Sequence, residues 1–282
     1  MTTALDYKPN VAGQAILAQA LTAVQSVPYS VTARWLFYRL FQDGIYSDKG
    51  DYKSKFLPLV TRARKHFYGG WAPDTLADDS RNTVYRGFGY VGAEDWLERK
   101  VYSLGCNLDK WEAQPNYVEV WFEAAAMRSQ FEHYTRHITL RPFKGDPSLD
   151  FKWGIAKHLE LIGQNYPEKP IVILYFGDLD SKGKQIPLSA RDDILEWCKG
   201  EFEFIRCGLN EGDELLYNLP ENIDKPGAYQ WEALGDSEAR GLILSSLSQY
   251  VDPEKFEEVE QEERDITAKF KIEIASVIER WT

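Results

Sequence analysis

Three carboxylates occupy positions from which they could hold a metal ion. Glu123 directly follows a predicted strand, and Asp178 and Asp180 follow a second predicted strand. Because parallel strands end at one edge of a sheet, these acids are expected to lie together and to repel one another. A hard divalent cation relieves that repulsion, and Gly177 and Gly183 allow the turn that would aim both aspartates at it. The spacing predicts a Mg²⁺ site that would also accept Mn²⁺; the alternative is that these acids cap helices or lie solvated in loops.

The segments that position these acids alternate between strand and helix. The apolar runs YVEVWF at 117–122 and IVILYF at 171–176 have the character of strands buried in a sheet. The neighbouring predicted elements are helices at 123–138, 149–164 and 184–199 and strands near 138–143 and at 201–207. This alternation predicts an α/β fold with a parallel sheet and right-handed crossovers. Further helices are predicted at 236–249 and 253–280.

The chain before the sheet is predicted to be helical. The expected elements are three short helices at 12–26, 32–42 and 52–67, followed by an irregular stretch at 71–113 that carries a helix at 93–103. This arrangement resembles a helix-turn-helix or winged-helix module, with 71–113 as wing and connector. The predicted organisation is a winged-helix-like domain with connector at 10–113, a metal-binding domain at 114–250 and a C-terminal helix at 251–282.

The net charge of −11 is unevenly distributed along the chain. From Glu211 onward there are 18 acidic and 7 basic residues, so the first 210 residues are neutral overall. Within 31–70, eight basic residues stand against three acidic ones. Such a basic segment is either a solvated face or a surface for phosphate groups. The acidic C-terminal helix is expected to be solvated or to face a second copy of the chain.

Composition predicts a protein of the reducing cytoplasm. The three cysteines form no CxxC pair and no even framework. The segment MTTALDYKPN has no basic region followed by an apolar run, so no signal peptide is expected. The longest apolar run, at 171–176, is too short to cross a bilayer, so no membrane association is expected.

The motifs around the carboxylates resemble those of a known domain. The pair Y-V-E-V-W-F-E and I-L-Y-F-G-D-L-D-S-K-G is similar to the Toprim domain shared by topoisomerases, primases and some nucleases. In that domain a Glu and a later DxD bind Mg²⁺, and Glu123, Asp178 and Asp180 match them. Gly145 resembles the glycine turn after the second strand of the domain. The chain departs from the pattern at Ala124, where relatives often carry a Lys that can contact phosphate.

A second motif resembles a narrower family. T-A-R-W-L-F-Y at 32–38 is similar to the T-R-R-x-x-Y-Y stretch of the topoisomerase VI A subunit and the related meiotic double-strand-break proteins. The last Tyr there is the nucleophile, which gives that role to Tyr38. Arg34 lies one helical turn earlier and is expected to stabilise the transition state. The chain has Phe37 in place of a Tyr and Ala33 in place of an Arg.

The resemblance covers roughly 25–70 and 115–210 and implies Mg²⁺-dependent DNA breakage. Tyr38 would attack a DNA phosphorus, leaving a 5′-phosphotyrosyl link and a free 3′-OH. In that family the Tyr and the metal meet across a dimer, which implies a homodimer on double-stranded DNA, associated with the nucleoid. A separate ATPase subunit is possible, since no GxxxxGK[ST] loop occurs. The expected DNA contacts are Arg39, Lys53, Lys55, Arg62, Arg64 and Lys65.

Three other interpretations remain open. The same metal site could activate water, which would make the chain a plain nuclease. The scaffold could also bind DNA without cutting it. A haloacid-dehalogenase-type phosphotransferase begins with DxD as well, but Lys182 stands where that chemistry needs Thr or Val, and Glu123 would then have no role. Glu232, in the segment WEAL, is a further candidate carboxylate for the sheet edge.

Overall fold

The fold is known from a computed structural model that describes residues 7–77, 90–222 and 225–278. Residues 78–89 of the predicted wing and connector lie outside the described residues. The four strands are β1 (Tyr117–Phe122), β2 (Thr139–Pro142), β3 (Ile171–Phe176) and β4 (Glu203–Gly208). The helices are α1 (Val11–Gln25), α2 (Ala33–Gln42), α3 (Leu57–Lys65), α4 (Ala93–Tyr102), α5 (Arg128–Tyr134), α6 (Leu149–Asn165), α7 (Ser181–Trp197), α8 (Asp213–Leu216), α9 (Asp236–Leu247) and α10 (Pro253–Ile278).

The four strands form one parallel sheet in the order β2-β1-β3-β4, so the α/β prediction is confirmed. Every residue of β1 and β3 is buried, as expected for central strands with helices on both faces. Successive side chains along each strand point to opposite faces of the sheet. Val120 and Phe122 pack toward Phe131 and Ile243, whereas Trp121 points to the opposite face, which α6 and α7 cover. The sheet is therefore the middle layer of three.

The register of β1 and β3 places the carboxyl ends of these two central strands side by side. Tyr117 pairs with Ile171, and Phe122 pairs with Phe176, without a shift between them. The next residue, Glu123, donates its backbone N–H to the Phe176 carbonyl oxygen at 3.0 Å. Residues just beyond β1 and β3 are therefore neighbours at the carboxyl edge of the sheet, as the alternating pattern predicts.

The N-terminal helices have a core of their own. Helices α1, α2 and α3 bury Leu17, Leu36 and Val60 against one another. Thr32 accepts a hydrogen bond from the Trp35 backbone N–H at 3.2 Å and so caps α2. The predicted helix at 52–67 begins instead as a π-helical turn, Tyr52–Phe56, which continues directly into α3. Pro58 lies in the first turn of α3, where its missing N–H is tolerated.

The predicted helix at 123–138 is much shorter in the structure. A 3₁₀ turn precedes α5, which ends at Tyr134, because the chain must reverse to bring β2 alongside β1. His137 has a left-handed backbone, with φ of 67°, and its Nε2 lies 2.7 Å from Glu260 of α10. His137 therefore does not share a helix face with His133.

The acidic helix α10 packs back onto the connector. Glu263 accepts hydrogen bonds from Lys110 Nζ at 2.5 Å and from the Leu108 backbone N–H at 2.7 Å. Thr267 Oγ1 accepts one from the Cys106 backbone N–H at 2.8 Å. Within the described ranges, no helix combines the length and the apolar character needed to cross a membrane.

Candidate functional site

Two of the predicted acidic residues are joined by a hydrogen bond at the carboxyl edge of the sheet. Glu123 follows β1 directly, and Asp178 lies two residues beyond β3. The Asp178 backbone N–H donates to Glu123 Oε2 at 3.0 Å. This hydrogen bond fixes the Glu123 side chain above the start of the loop after β3. Glu123 and Asp178 therefore lie next to each other, as the sequence predicts.

Glu232 joins them from a distant part of the chain. It lies in the 3₁₀ turn Trp231–Ala233, whose first backbone N–H donates to Asp178 Oδ1 at 2.9 Å. Glu123, Asp178 and Glu232 all line one cavity of about 680 Å³. The candidate carboxylate Glu232 thus lies near the sheet edge, in the same cavity as Asp178.

The three carboxylates of the cavity affect one another's ionisation. Burial raises the pKa of Asp178 well above its usual value, and the nearby Glu232 and Glu123 raise it further. Burial also raises the pKa of Glu123, although the hydrogen bond from Asp178 partly offsets this. The pKa of Glu232 is raised by burial as well. Like charges held this close favour either proton uptake or a bound cation.

Asp180 is turned away from this cavity. Its Oδ1 accepts the Gly183 backbone N–H at 2.7 Å, which makes it the N-cap of α7. Its Oδ2 lies 3.4 Å from Lys225 Nζ. Because α7 begins at Ser181 rather than at the predicted residue 184, the second aspartate of the DxD motif caps a helix while Asp178 faces the cavity.

The acids of the cavity form no large cluster of metal ligands. Across the described residues, no group of three or more His, Cys, Asp or Glu side chains is placed so that it could hold a metal ion. Mg²⁺ is usually held by only one or two protein carboxylates, with water and phosphate oxygens completing the octahedron. Glu123 and Asp178, which a hydrogen bond joins, supply carboxylate oxygens. Glu232 lines the same cavity. Two carboxylates are thus compatible with an Mg²⁺ ion whose other ligands are water and phosphate oxygens.

Arg206 holds the loop that carries Asp178. Its guanidinium donates to the carbonyl oxygens of Asp178 at 2.6 Å, Gly183 at 2.8 Å and Leu209 at 3.1 Å. The loop passes so close to α7 that a Cβ on Gly183 would lie 2.3 Å from the Asp178 carbonyl oxygen and 3.0 Å from Glu123 Oε2. A glycine at this position is therefore required by the close approach of the backbone.

Replacing Gly183 by Ala is expected to distort the site. The added Cβ must push the Asp178 carbonyl away, which we expect to lower the free energy of unfolding by about 1–3 kcal/mol and to weaken Mg²⁺ binding. Gly154→Ala is the matched control, because a Cβ there meets nothing within 4 Å, and it should be neutral or stabilising by up to about 1 kcal/mol. Urea denaturation and calorimetric Mg²⁺ titration measure both effects. Equal stability and Mg²⁺ affinity in the two variants would contradict the prediction.

A hydrogen-bonded network supports the turn that carries Glu232. Trp231 Nε1 donates to Gln130 Oε1 at 3.0 Å, and Gln130 Nε2 donates to Tyr29 Oη at 3.1 Å. Tyr29 in turn donates to Asp236, at the start of α9. Gln42 of α2 donates to the Ala233 carbonyl oxygen at 2.5 Å. The N-terminal helices are thus joined to the sheet at the turn that completes the cavity.

Arg34 reaches the same cavity from α2. Its guanidinium carbon lies 5.9 Å from the centre of the Tyr38 ring. Burial acts to lower the pKa of Arg34, but interactions with Tyr38 and Glu232 outweigh it and raise the pKa. Lys49 Nζ lies 5.7 Å from the Tyr38 ring on another side. Tyr38 itself does not line the cavity, whereas Tyr52, from the π-helical turn, does.

Comparison of the chain with models of protein families, with curated proteins and with solved structures found no match. Functional inference therefore depends on the geometry of the site and on the short motifs that form it.

The predicted DNA contacts are divided between surfaces. Arg64 lines the cavity but donates to the carbonyl oxygens of Pro73 and Leu76, and Arg39 lines a separate groove beside Tyr217. Lys55 pairs with Asp51 at 2.8 Å. The exposed members of the set are Lys53, Lys55, Arg62 and Lys65.

Two cavity residues were not anticipated from the sequence. Tyr52 gave no signal because the π-helical turn changes which side chains share a face. Lys144 lines the cavity beside Gly145. The glycine turn was recognised, but the lysine before it was not.

Proposed function

We propose that this chain is a Mg²⁺-dependent DNA-breaking protein of the topoisomerase VI A type, with a winged-helix-like N-terminal part and a Toprim-like sheet. The observation that carries the proposal is one cavity lined both by Arg34 of α2 and by the carboxylates Glu123, Asp178 and Glu232. The motifs that resemble the family therefore come from two separate parts of the chain and meet at one place. Double-stranded DNA is the proposed substrate, and a homodimer of the cytoplasm and nucleoid is the proposed assembly.

The proposed step is a transesterification by Tyr38. Its Oη attacks a phosphorus of the DNA backbone, the bond from phosphorus to the 3′ oxygen breaks, and the phenolic proton ends on that oxygen through solvent. The products are a 5′-phosphotyrosyl link and a 3′-OH. Glu123 and Asp178, with Glu232 beside them, would hold Mg²⁺ or Mn²⁺, which supplies positive charge for the phosphoryl oxygens when bound. Arg34 interacts with both Tyr38 and Glu232 and stabilises negative charge that develops on the phosphate.

Hydrolysis by water is the second candidate. The observation that favours it is that Tyr38 does not line the cavity, while the carboxylates do. A water molecule next to the carboxylates would then be the nucleophile, and no covalent protein–DNA product would form. A scaffold that binds DNA without cutting it is the third possibility. Strand passage would need a separate ATPase subunit.

Tyr38→Phe is expected to abolish the covalent adduct while leaving DNA binding intact. The variant loses only the hydroxyl, so its fold and its DNA affinity should change little, whereas the adduct should fall by roughly 10³-fold or more. The assay incubates the protein with supercoiled plasmid and Mg²⁺, denatures it, and measures DNA held covalently to protein. Tyr52→Phe is the matched control, since that Tyr lines the cavity.

Each outcome points to one chemistry. An adduct lost in Tyr52→Phe and kept in Tyr38→Phe would make Tyr52 the nucleophile. Nicking that persists in both Tyr variants and disappears in Asp178→Ala would establish hydrolysis. Plasmid that stays intact with wild-type protein in both Mg²⁺ and Mn²⁺ would leave only the binding function.

A further inference from the structure

Lys144 lies at the mouth of the carboxylate cavity. It follows β2 by two residues, and its backbone N–H donates to the Glu123 carbonyl oxygen at 2.8 Å. This bond continues the ladder between β1 and β2, so Lys144 is fixed one strand away from Glu123 at the same sheet edge. It lines the cavity together with Glu123, Asp178 and Glu232.

The backbone at Lys144 is in a conformation that disfavours a side chain. Its φ is +54°, in the left-handed region, and Gly145 follows at +88°. A non-glycine residue there costs about 1–2 kcal/mol relative to the right-handed region. Strained backbone of this kind concentrates at functional sites, where the position of the side chain outweighs the cost.

The Lys144 ammonium has no competing partner among the described residues. Arg64, another cation of the cavity, donates to backbone carbonyls, and Arg34 interacts with Tyr38 and Glu232. Within 7–77, 90–222 and 225–278, no hydrogen bond or ion pair holds Lys144 Nζ, and the residue is exposed. Ala124, beside Glu123, contributes no charge to the cavity wall. An exposed ammonium without a partner among the described residues is thus available in the cavity that holds the three carboxylates.

We propose that Lys144 binds a phosphate of the DNA backbone at the mouth of the cavity, an assignment that rests on the proposed function. A phosphate that approaches three carboxylates is repelled unless positive charge meets it on the way. A lysine supplies a compact charge with three donors on a flexible stem, which suits a single phosphate oxygen. The left-handed turn directs this stem from the end of β2, next to Glu123, so that the bound phosphate lies beside the carboxylates.

Lys144→Gly isolates this role. Glycine prefers the same backbone conformation, so the variant should fold at least as well as wild type while it lacks the ammonium. The affinity for a short DNA duplex is measured by fluorescence anisotropy over a range of NaCl in Mg²⁺, at a temperature and time at which the duplex stays intact. We expect the slope of log K against log salt to become shallower by about 0.9, the value for one phosphate contact. Lys144→Arg should retain the wild-type slope.

Lys199→Gly is the matched control. Lys199 is also an exposed lysine, but it follows the far end of α7, away from the cavity. Its loss should leave the slope unchanged. A wild-type slope in Lys144→Gly, or an equal change in Lys199→Gly, would overturn the assignment while the proposed function stands. Wild-type protein that binds no duplex would overturn the proposed function and this assignment with it.

Discussion

Asp178→Asn is expected to abolish DNA cleavage without weakening the fold. The amide keeps an oxygen that can accept the Trp231 backbone N–H, now at 2.9 Å, so the turn that carries Glu232 stays in place. What is lost is the negative charge that the proposed divalent cation would require at this position. We expect cleavage to fall by at least about 10³-fold, equivalent to about 4 kcal/mol of transition-state stabilisation.

Although Asp178→Asn should lose cleavage activity, its stability should stay the same or rise. Asp178 is a buried carboxyl whose pKa is raised by burial and by Glu232 and Glu123, so its ionised form opposes folding when no cation is present. A neutral amide removes that repulsion, and the melting temperature in EDTA should be unchanged or higher by a few degrees. Wild-type protein should gain stability when Mg²⁺ is added, because the proposed ion would bind only the folded state, and the variant should not.

Asp192→Asn is the matched control for the change of charge. Asp192 is an exposed residue of α7 that pairs with Arg191 at 2.6 Å, and its variant should cleave and melt like wild type. Asp178→Asn protein that still cleaves at a wild-type rate would contradict the proposed metal position. A Mg²⁺-dependent rise in melting temperature that survives in the variant would do the same.

The central strands could be predicted from the sequence because burial on both faces requires a continuous run of apolar residues. The runs at 117–122 and 171–176 are apolar throughout, apart from one acid, and both strands have the predicted bounds. Because these strands are neighbours, the meeting of Glu123 and Asp178 also followed from the pattern.

The rest of the site depends on contacts that no local pattern encodes. The DxD motif does not show which aspartate faces inward; the capping bond from Gly183 to Asp180 decides that. Glu232 arrives through a three-residue turn held by Trp231, Gln130 and Tyr29, far apart in sequence. No periodicity marks such a turn. The docking of the N-terminal helices on the sheet is likewise a tertiary property.

The one acid inside β1 is a separate feature that supports the sheet. Glu119 is completely buried and accepts two hydrogen bonds from Arg141, to Oε2 at 2.7 Å and to Oε1 at 2.9 Å. Trp121 Nε1 donates to Oε2 at 2.9 Å, and His158 Nε2 lies 3.3 Å from Oε1. Burial acts to raise the pKa of Glu119, but the hydrogen bonds with His158 and Arg141 and the charge of Arg141 outweigh it, holding the pKa at about 2.

Arg141→Met is therefore expected to destabilise the protein more than the other substitutions considered. It leaves Glu119 buried without its counter-charge, which typically costs about 3–5 kcal/mol, a large part of the stability of an ordinary domain. Urea denaturation at pH 7 measures the loss. Lys157→Met is the matched control, because the Lys157–Glu160 pair is at the surface and its removal should cost at most about 1 kcal/mol.

The dependence on pH distinguishes a lost ion pair from lost packing. In wild type the pKa of Glu119 is lowered from 4.5 to about 2, so its contribution is fully present above about pH 4.5 and is lost as the pH falls toward 2. In Arg141→Met the unpaired carboxyl takes up a proton more readily, and the cost of burying it falls as the solution is acidified. The difference in unfolding free energy between wild type and variant should thus narrow from pH 7 toward pH 4. A difference that stays constant over this range would mean that the Arg141 side chain acts through packing rather than through its charge.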